Sequence, residues 1–338
     1  MPRYNSPTKS SGSTRSCISF FETIGDDDLE RFGGKAVNLA RLRRAGLKVP
    51  IGFSISSECF SEFLAGLDGS DRILQQLESA TDLEEALNCA ANLESLGSSW
   101  RMSGETKKQI IDAFTLLRSM VHEHGAGYAV RSSANVEDSR HISFAGQAES
   151  FLCVNGTENV IDSVRRTWQS AVSFRSALYL REMGVPLSSV KMGVIVQVMV
   201  DADISGVMFT ANTVTNDPSQ IIIESTWGLG EPLVSGKVIP DTFLLHRKPL
   251  KIVQRLLGSK ATIATIAMSN QQQRIMLEDT PLSKRTAFTL DDAELLNLAR
   301  LGMKVENILG GPQDIEWCMK DSQLIVLQAR PVTTMKSC

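Results

Sequence analysis

No two of the six cysteines stand as a C-x-x-C pair; they fall at 17, 59, 89, 153, 318 and 338. Such spacing offers neither a zinc site nor a redox couple, and apolar settings such as FLCV (151–154) read as free thiols in a reducing, cytoplasmic compartment. Positive charge is not in excess either. The 35 Lys and Arg against 38 Asp and Glu leave a net charge of −3, which lacks the electrostatic footprint of a nucleic-acid binder. The longest apolar stretches, such as 192–200, fall well short of the roughly 20 residues of a membrane span and read as buried strands. The first sixteen residues are polar and have no apolar core of the secretory type, so they read as a disordered tail, with an organellar transit segment as the alternative. A Walker A loop (GxxxxGK[ST]) is absent, and no internal repeat stands out.

What is present is enough apolar residue, 42% of 338, to fill two packed lobes. Helical and strand patterns are mixed along the chain, which argues for α/β or α+β layers. A strand at 17–21 is followed by Gly33-Gly34-Lys35 and a helical face of Val37, Leu39, Ala40 and Leu42 that Gly46 should stop. A strand at 53–55 precedes helices through 124, one of them capped by Ser103. A strand at 128–131, a polar loop at 132–147 and a strand at 150–154 come next. Then one long helix runs from Thr157 past Leu178 to Gly184. Four strands are expected at 192–200, 205–210, 221–224 and 242–246, with a glycine-rich loop at 227–231. Thr289 should open the last helix, with Asp292 at the capping-box position. A hairpin at 314–318 and 324–329 turns at 320–322. The switch from helices to strands divides the chain into lobes of 17–190 and 191–334.

Four segments combine glycine or isolated charge with apolar strands. In Gly33-Gly34-Lys35, glycines let backbone N–H groups approach an anion and the lysine adds a point charge; a turn with a solvated lysine reads equally from these residues. Arg131 ends an apolar strand and must find an anion, either a ligand or a carboxylate such as Glu137 or Asp138. Gln197, Met199 and Val200 could wall a flat ring, or simply be core strand; Glu224 and the 227–231 loop are open in the same way. In the last hairpin, alternation puts Asp314 with Glu316 and Gln328 with Arg330, a set able to hold Mg²⁺ and phosphate, or a plain solvent-facing surface.

Five runs in one order carry a resemblance: GGKAVNLARLRRAGLKVPIGFSIS (33–56), AVRSSANVEDSRHISFAGQAESFL (129–152), VIVQVMVDADISGVMFTAN (194–212), IIESTWGLGEPLVSGKVIPDTF (222–243), and DIEW with LQARPV (314–332). The chain resembles the N-terminal nucleotide domain shared by phosphoenolpyruvate synthase, pyruvate phosphate dikinase and rifampin phosphotransferase. The resemblance implies an α+β ATP-grasp fold with MgATP between two lobes, and catalytic roles for Lys35, Arg131, Gln328 and Arg330. It further implies a mobile loop over the phosphates with Ser143, Gly146 and Gln147, an adenine side at Gln197, Met199 and Val200, a further nucleotide-binding residue in Glu224, and metal ligands Glu316, Asp314 and Gln328. The loop departs from the family's usual EDLPxASFAGQ, since Ser139-Arg140 replaces Leu-Pro.

By the same resemblance the β-phosphoryl of ATP would pass to a histidine, leaving AMP and phosphate. None of the four histidines (122, 124, 141, 246) stands in the family's carrier context, so the expected acceptor is a phosphohistidine carrier on a separate protein, serving a small-molecule final acceptor. A free-standing kinase or ligase acting on a small molecule, and a nucleotide-binding subunit without catalysis, are the other readings.

Overall fold

The computed structural model describes residues 16–80, 82–121, 126–135, 149–269 and 272–333. The tail expected at the start therefore lies, apart from Ser16, outside the described residues, as do His122, His124 and His141.

The first part of the chain runs β1 (Ile18–Phe20), α1 (Leu29–Arg44), β2 (Gly52–Ile55), α2 (Ser57–Ala65), α3 (Ser70–Ser79), α4 (Leu83–Ser99), α5 (Gly104–Ser119), β3 (Tyr128–Ala134), β4 (Phe151–Val154), α6 (Thr157–Ala171), α7 (Phe174–Glu182) and β5 (Met192–Val198). Its strands form one antiparallel sheet in the order β1-β2-β5-β3-β4. One face of that sheet rests on the helices through a core that includes Phe53, Phe60, Phe63, Trp100, Phe114 and Trp168.

The second part runs β6 (Ile204–Phe209), β7 (Gln220–Trp227), α8 (Glu231–Val234), β8 (Asp241–Arg247), β9 (Leu250–Leu256), β10 (Thr262–Ser269), β11 (Gln272–Asp279), α9 (Leu282–Arg285), α10 (Asp292–Leu309), β12 (Gln313–Lys320) and β13 (Gln323–Pro331). Six of its strands make an antiparallel sheet in the order β13-β12-β6-β7-β8-β9, and β10–β11 stand apart as a hairpin. Ile221, Ile223, Phe243, Leu245, Ile315 and Trp317 point from this sheet into a core shared with α1 and α10. Ile195 of β5 belongs to the same core, so α1 is packed between the two sheets. The segment before β2 straps them as well, since Val198 N donates to Ile51 O and Val326 N to Lys48 O, both at 2.9 Å. This is an α+β ATP-grasp architecture: two antiparallel sheets that meet at a junction, the cleft of this fold, where Arg131 of β3 reaches Glu316 of β12. Among the described residues no helix is long and apolar enough to cross a membrane.

Several elements differ from the sequence reading, each for a local reason. The chain changes sheet between Val198 and Ile204 rather than near 190, because β5 is the central strand of the first sheet. The long helix from Thr157 is two helices. Ser173 accepts the N–H of Ser176 and caps α7, so its side chain competes with continuation of α6. Polar Ser132 and Ser133 continue β3 instead of opening a loop, since their backbones pair with Val194 and Gly193. The last helix is capped by Asp291, with Glu294 completing the box; Thr289 is held instead by Asp241. Strands β9, β10 and β11 were not expected, and many of their side chains are exposed or half-buried.

Candidate active site

Lys35 enters the cleft at a break in α1. Gly33 has φ +77°, and a Cβ there would lie 2.1 Å from the carbonyl oxygen of Ser133, so a side chain would drive α1 off β3. The contact is fastened by Ala36 N donating to Ser133 Oγ at 3.2 Å. Lys35 Nζ donates to Ser132 O at 3.3 Å, which brings the ammonium beside the residue that follows Arg131.

Arg131 lies on the face of β3 that looks toward α1, opposite Ile195. Its guanidinium crosses from the first sheet to the second. Nη1 donates to Glu316 Oε2 at 3.0 Å and to Gln328 Oε1 at 3.4 Å, and Gln328 Nε2 donates back to Glu316 Oε1 at 3.4 Å. The Arg131–Glu316 pair is largely shielded, with 18% and 24% of the two side chains exposed. The anion that Arg131 finds is thus Glu316, from the far end of the chain.

Cross-strand register explains why these groups meet. Glu316 stands opposite Gln328, and Asp314 opposite Arg330, with a bulge just after Glu316. Ile315 and Trp317 fill the core, so Asp314 and Glu316 face the other way, into the cleft. Arg330 binds Asp314 through Nε and Nη2, each 2.8 Å from Oδ2. Burial pushes the Asp314 carboxyl up, and the Arg330 charge offsets part of that rise. The row through Glu316 continues across Val207 to Glu224 on β7, so Glu224 shares its face. Burial raises the Glu224 carboxyl, and no hydrogen bond or ion pair reaches it among the described residues.

The other end of the cleft is apolar. Met199 and Val200 lie past the end of β5 and pack with Ala202, Leu229, Ala264, Cys318 and Leu327. Met199 N donates to Gly127 O at 3.0 Å, and its Sδ accepts Cys153 N–H at 2.9 Å. Gln197 is buried and donates to Pro50 O at 3.3 Å, which ties the strap before β2 to β5. Ile266 and Ile275 of the β10–β11 hairpin complete the apolar wall. The sequence reading missed them, because TIATIAMS (262–269) and QQRIMLED (272–279) show no period-two alternation of apolar and polar residues. The glycine-rich loop serves this hairpin: Gly228 has φ +71°, a Cβ there would be 2.3 Å from Ala264 O, and Leu229 N donates to that oxygen at 2.9 Å.

Lys35, Arg131, Glu316, Gln328, Asp314 and Arg330 are therefore linked by contacts or register into one charged end, with Glu224 on the same sheet face. Met199 and Val200 line the apolar end beside Gln197. Ser143, Gly146 and Gln147 lie outside the described residues. Among the described residues no group of three or more His, Cys, Asp or Glu gathers as ready metal ligands, and Glu316 and Asp314 are each paired with an arginine. Cations and carboxylates gathered beside an apolar slot suit a ligand with an anionic tail and a flat apolar head.

Comparison with known proteins agrees in chemistry. Residues 29–337 match the family described as pyruvate phosphate dikinase, AMP/ATP-binding domain. The chain is 34% identical over 320 residues to a probable phosphoenolpyruvate synthase of Methanothermobacter thermautotrophicus, covering 94% of this chain and 46% of that protein. It is 32% identical to the phosphoenolpyruvate synthase of Pyrococcus furiosus, covering 94% of this chain and 44% of that protein. It is also 36% identical to the prodigiosin synthesizing transferase PigC of Serratia marcescens, covering 93% of this chain and 33% of that protein. The chain spans less than half the length of these relatives.

Proposed function

The chain belongs to the pyruvate phosphate dikinase AMP/ATP-binding domain family, and from that premise we propose that its cleft binds MgATP and transfers a phosphoryl group as an ATP-dependent phosphotransferase. The observation that carries this reading is Arg131 reaching from the first sheet to Glu316 and Gln328 on the second. A guanidinium held between two lobes by a carboxylate and an amide is already oriented before any ligand arrives. Such preorganised donors stabilise charge that develops on a transferring phosphoryl group.

In this reading the ATP phosphates lie between Lys35, Arg131 and Arg330, and the adenine lies against Met199, Val200 and the hairpin. Lys35 supplies a point charge, and the two arginines supply planar donor sets for phosphate oxygens. Mg²⁺ takes oxygen donors and keeps several waters, and Glu316 with the Gln328 amide oxygen fits that preference; Asp314 and Glu224 flank them on the same face. A bound cation would neutralise charge shared by neighbouring phosphates. Arg131, held through Nη1 by Glu316 and Gln328, would offer its remaining donors to a phosphate oxygen.

The acceptor we favour is a histidine on a phosphocarrier protein, which takes the β-phosphoryl as the bond to AMP breaks, while water takes the γ-phosphoryl and yields phosphate. That none of the four histidines stands in the family's carrier context supports an outside acceptor. The test is to incubate the protein with MgATP, with and without candidate carriers, and to separate AMP, ADP and phosphate. Carrier-dependent AMP and phosphate are expected. Steady ADP formation by the protein alone would favour direct phosphorylation of a small molecule and overturn the carrier reading.

A further inference from the structure

The β10–β11 hairpin belongs to neither sheet yet contacts both. Its base is seated on Gly228 and Leu229, from the loop after β7 of the second sheet. Near its other end, Gln273 Oε1 accepts Asn155 Nδ2 at 3.0 Å, and Asn155 directly follows β4 of the first sheet. Gln273 stands opposite Met268, on the same hairpin face as Ile266 and Ile275. That is the face packed over Met199 and Val200. The Asn155–Gln273 hydrogen bond therefore ties the first sheet to the hairpin at the apolar end of the cleft.

The surroundings of Asn155 are shaped for this contact. The β3–β4 register shifts between Tyr128 and Val130, and Cys153 takes a left-handed φ of +55°, uncommon for a residue with a side chain. Asn155 Nδ2 donates to Cys153 O as well, at 3.0 Å. Gly127, with φ +73°, leaves room that a Cβ would fill only 2.8 Å from the same nitrogen. Gly127 O also holds Met199 N, and Cys153 N holds Met199 Sδ. Asn155 and the apolar wall thus hang on one backbone scaffold.

We propose that Asn155 and Gln273 are positioning residues that latch the hairpin over the apolar end of the cleft and set how long a bound purine nucleotide stays. The proposal rests on the reading of the cleft as an ATP site. A nucleotide leaving past Ile266 and Ile275 must wait for the hairpin to lift, and lifting it breaks this hydrogen bond. Because Gln273 acts through its acceptor oxygen, a carboxylate in its place keeps the latch, whereas an apolar side chain of equal length does not.

The experiment uses the full chain, Mg²⁺ and a methylanthraniloyl-labelled ATP chased with unlabelled ATP. Gln273→Met and Asn155→Ala should each speed label release roughly two- to tenfold, the range for one neutral hydrogen bond. The double variant should be no faster than the singles, and Gln273→Glu should release at or below the wild-type rate. Hydrogen exchange without nucleotide gives a second readout: Gln273→Met should raise exchange in 262–279 and leave β8 unchanged. Unaltered exchange in the hairpin would overturn the latch. Raised exchange with unaltered release would overturn its control of residence time. A wild-type chain that binds no labelled ATP would sink the ATP reading, and the claim about residence with it, while exchange would still decide whether the latch exists.

Discussion

The two ends of the cleft are built by opposite physics. At the charged end, an ammonium, two guanidiniums and two carboxylates sit on α1, β3, β12 and β13, and each is fixed by a named partner or by strand register. At the apolar end, Met199, Val200, Ile266, Ile275 and Leu327 are held by packing, and the wall includes a hairpin that stands outside both sheets. Charges demand partners in a low-dielectric place, so their positions are specified sharply. Apolar contacts are non-directional and tolerate a movable wall. The charged end is thus suited to govern rate, and the apolar end affinity.

The hardest test of that division is at Arg131. Arg131→Ala should lower turnover by about 10²–10³, equivalent to about 2.7–4 kcal/mol, with a smaller change in MgATP affinity; Arg330→Ala should act in the same sense. Steady-state kinetics beside equilibrium binding would show it, and wild-type turnover in both variants would remove the two arginines from the chemistry. Next is Gly33→Ala. The left-handed backbone alone costs about 1–2 kcal/mol, and the contact with Ser133 adds to it, so thermal unfolding should fall by several degrees. An unchanged melting temperature would mean that α1 does not need that close approach. At the apolar end, Ile266→Ala should weaken MgATP binding by about 1 kcal/mol, some fivefold, while kcat is kept. Loss of kcat with intact affinity would invert the comparison.

The smallest effect concerns pH. Burial holds the Glu224 carboxyl above its ordinary 4.5, so the folded state keeps its proton more tightly than the unfolded state does. Its contribution to stability is full below about 4.5 and is lost as pH rises through the raised value. Glu224→Gln removes that loss, so the melting temperature of the variant relative to wild type should climb across the window. A difference that stays flat with pH would mean that Glu224 is solvated.

The charged residues were legible because isolated charge in an apolar strand has few explanations, and because the 314–330 hairpin fixes its register through a short turn in which Asp321 and Ser322 both have positive φ. The partner of Arg131 was not legible. Glu137 and Asp138 are near it in sequence, yet Glu316, 185 residues away, takes the contact. Gln197 read either as ring wall or as core strand, and nothing in the order of residues signalled that its amide donates to Pro50 O. The strands β9 to β11 gave little signal, since β9 and β11 are largely exposed and the half-buried β10 lacks strong alternation of apolar and polar residues.

By itself the amino-acid order determined the strands with one buried face, the final hairpin with its carboxylate–amide and carboxylate–guanidinium registers, and the family to which the chain belongs. These depend on neighbours within a few residues, or on pairing across a short turn. Tertiary structure alone decided that α1 is packed between the two sheets, that Arg131 crosses to Glu316, and that a hairpin roofs the apolar end. Those contacts join segments 97 to 291 residues apart, where chain proximity gives no guidance and burial energy chooses the partner.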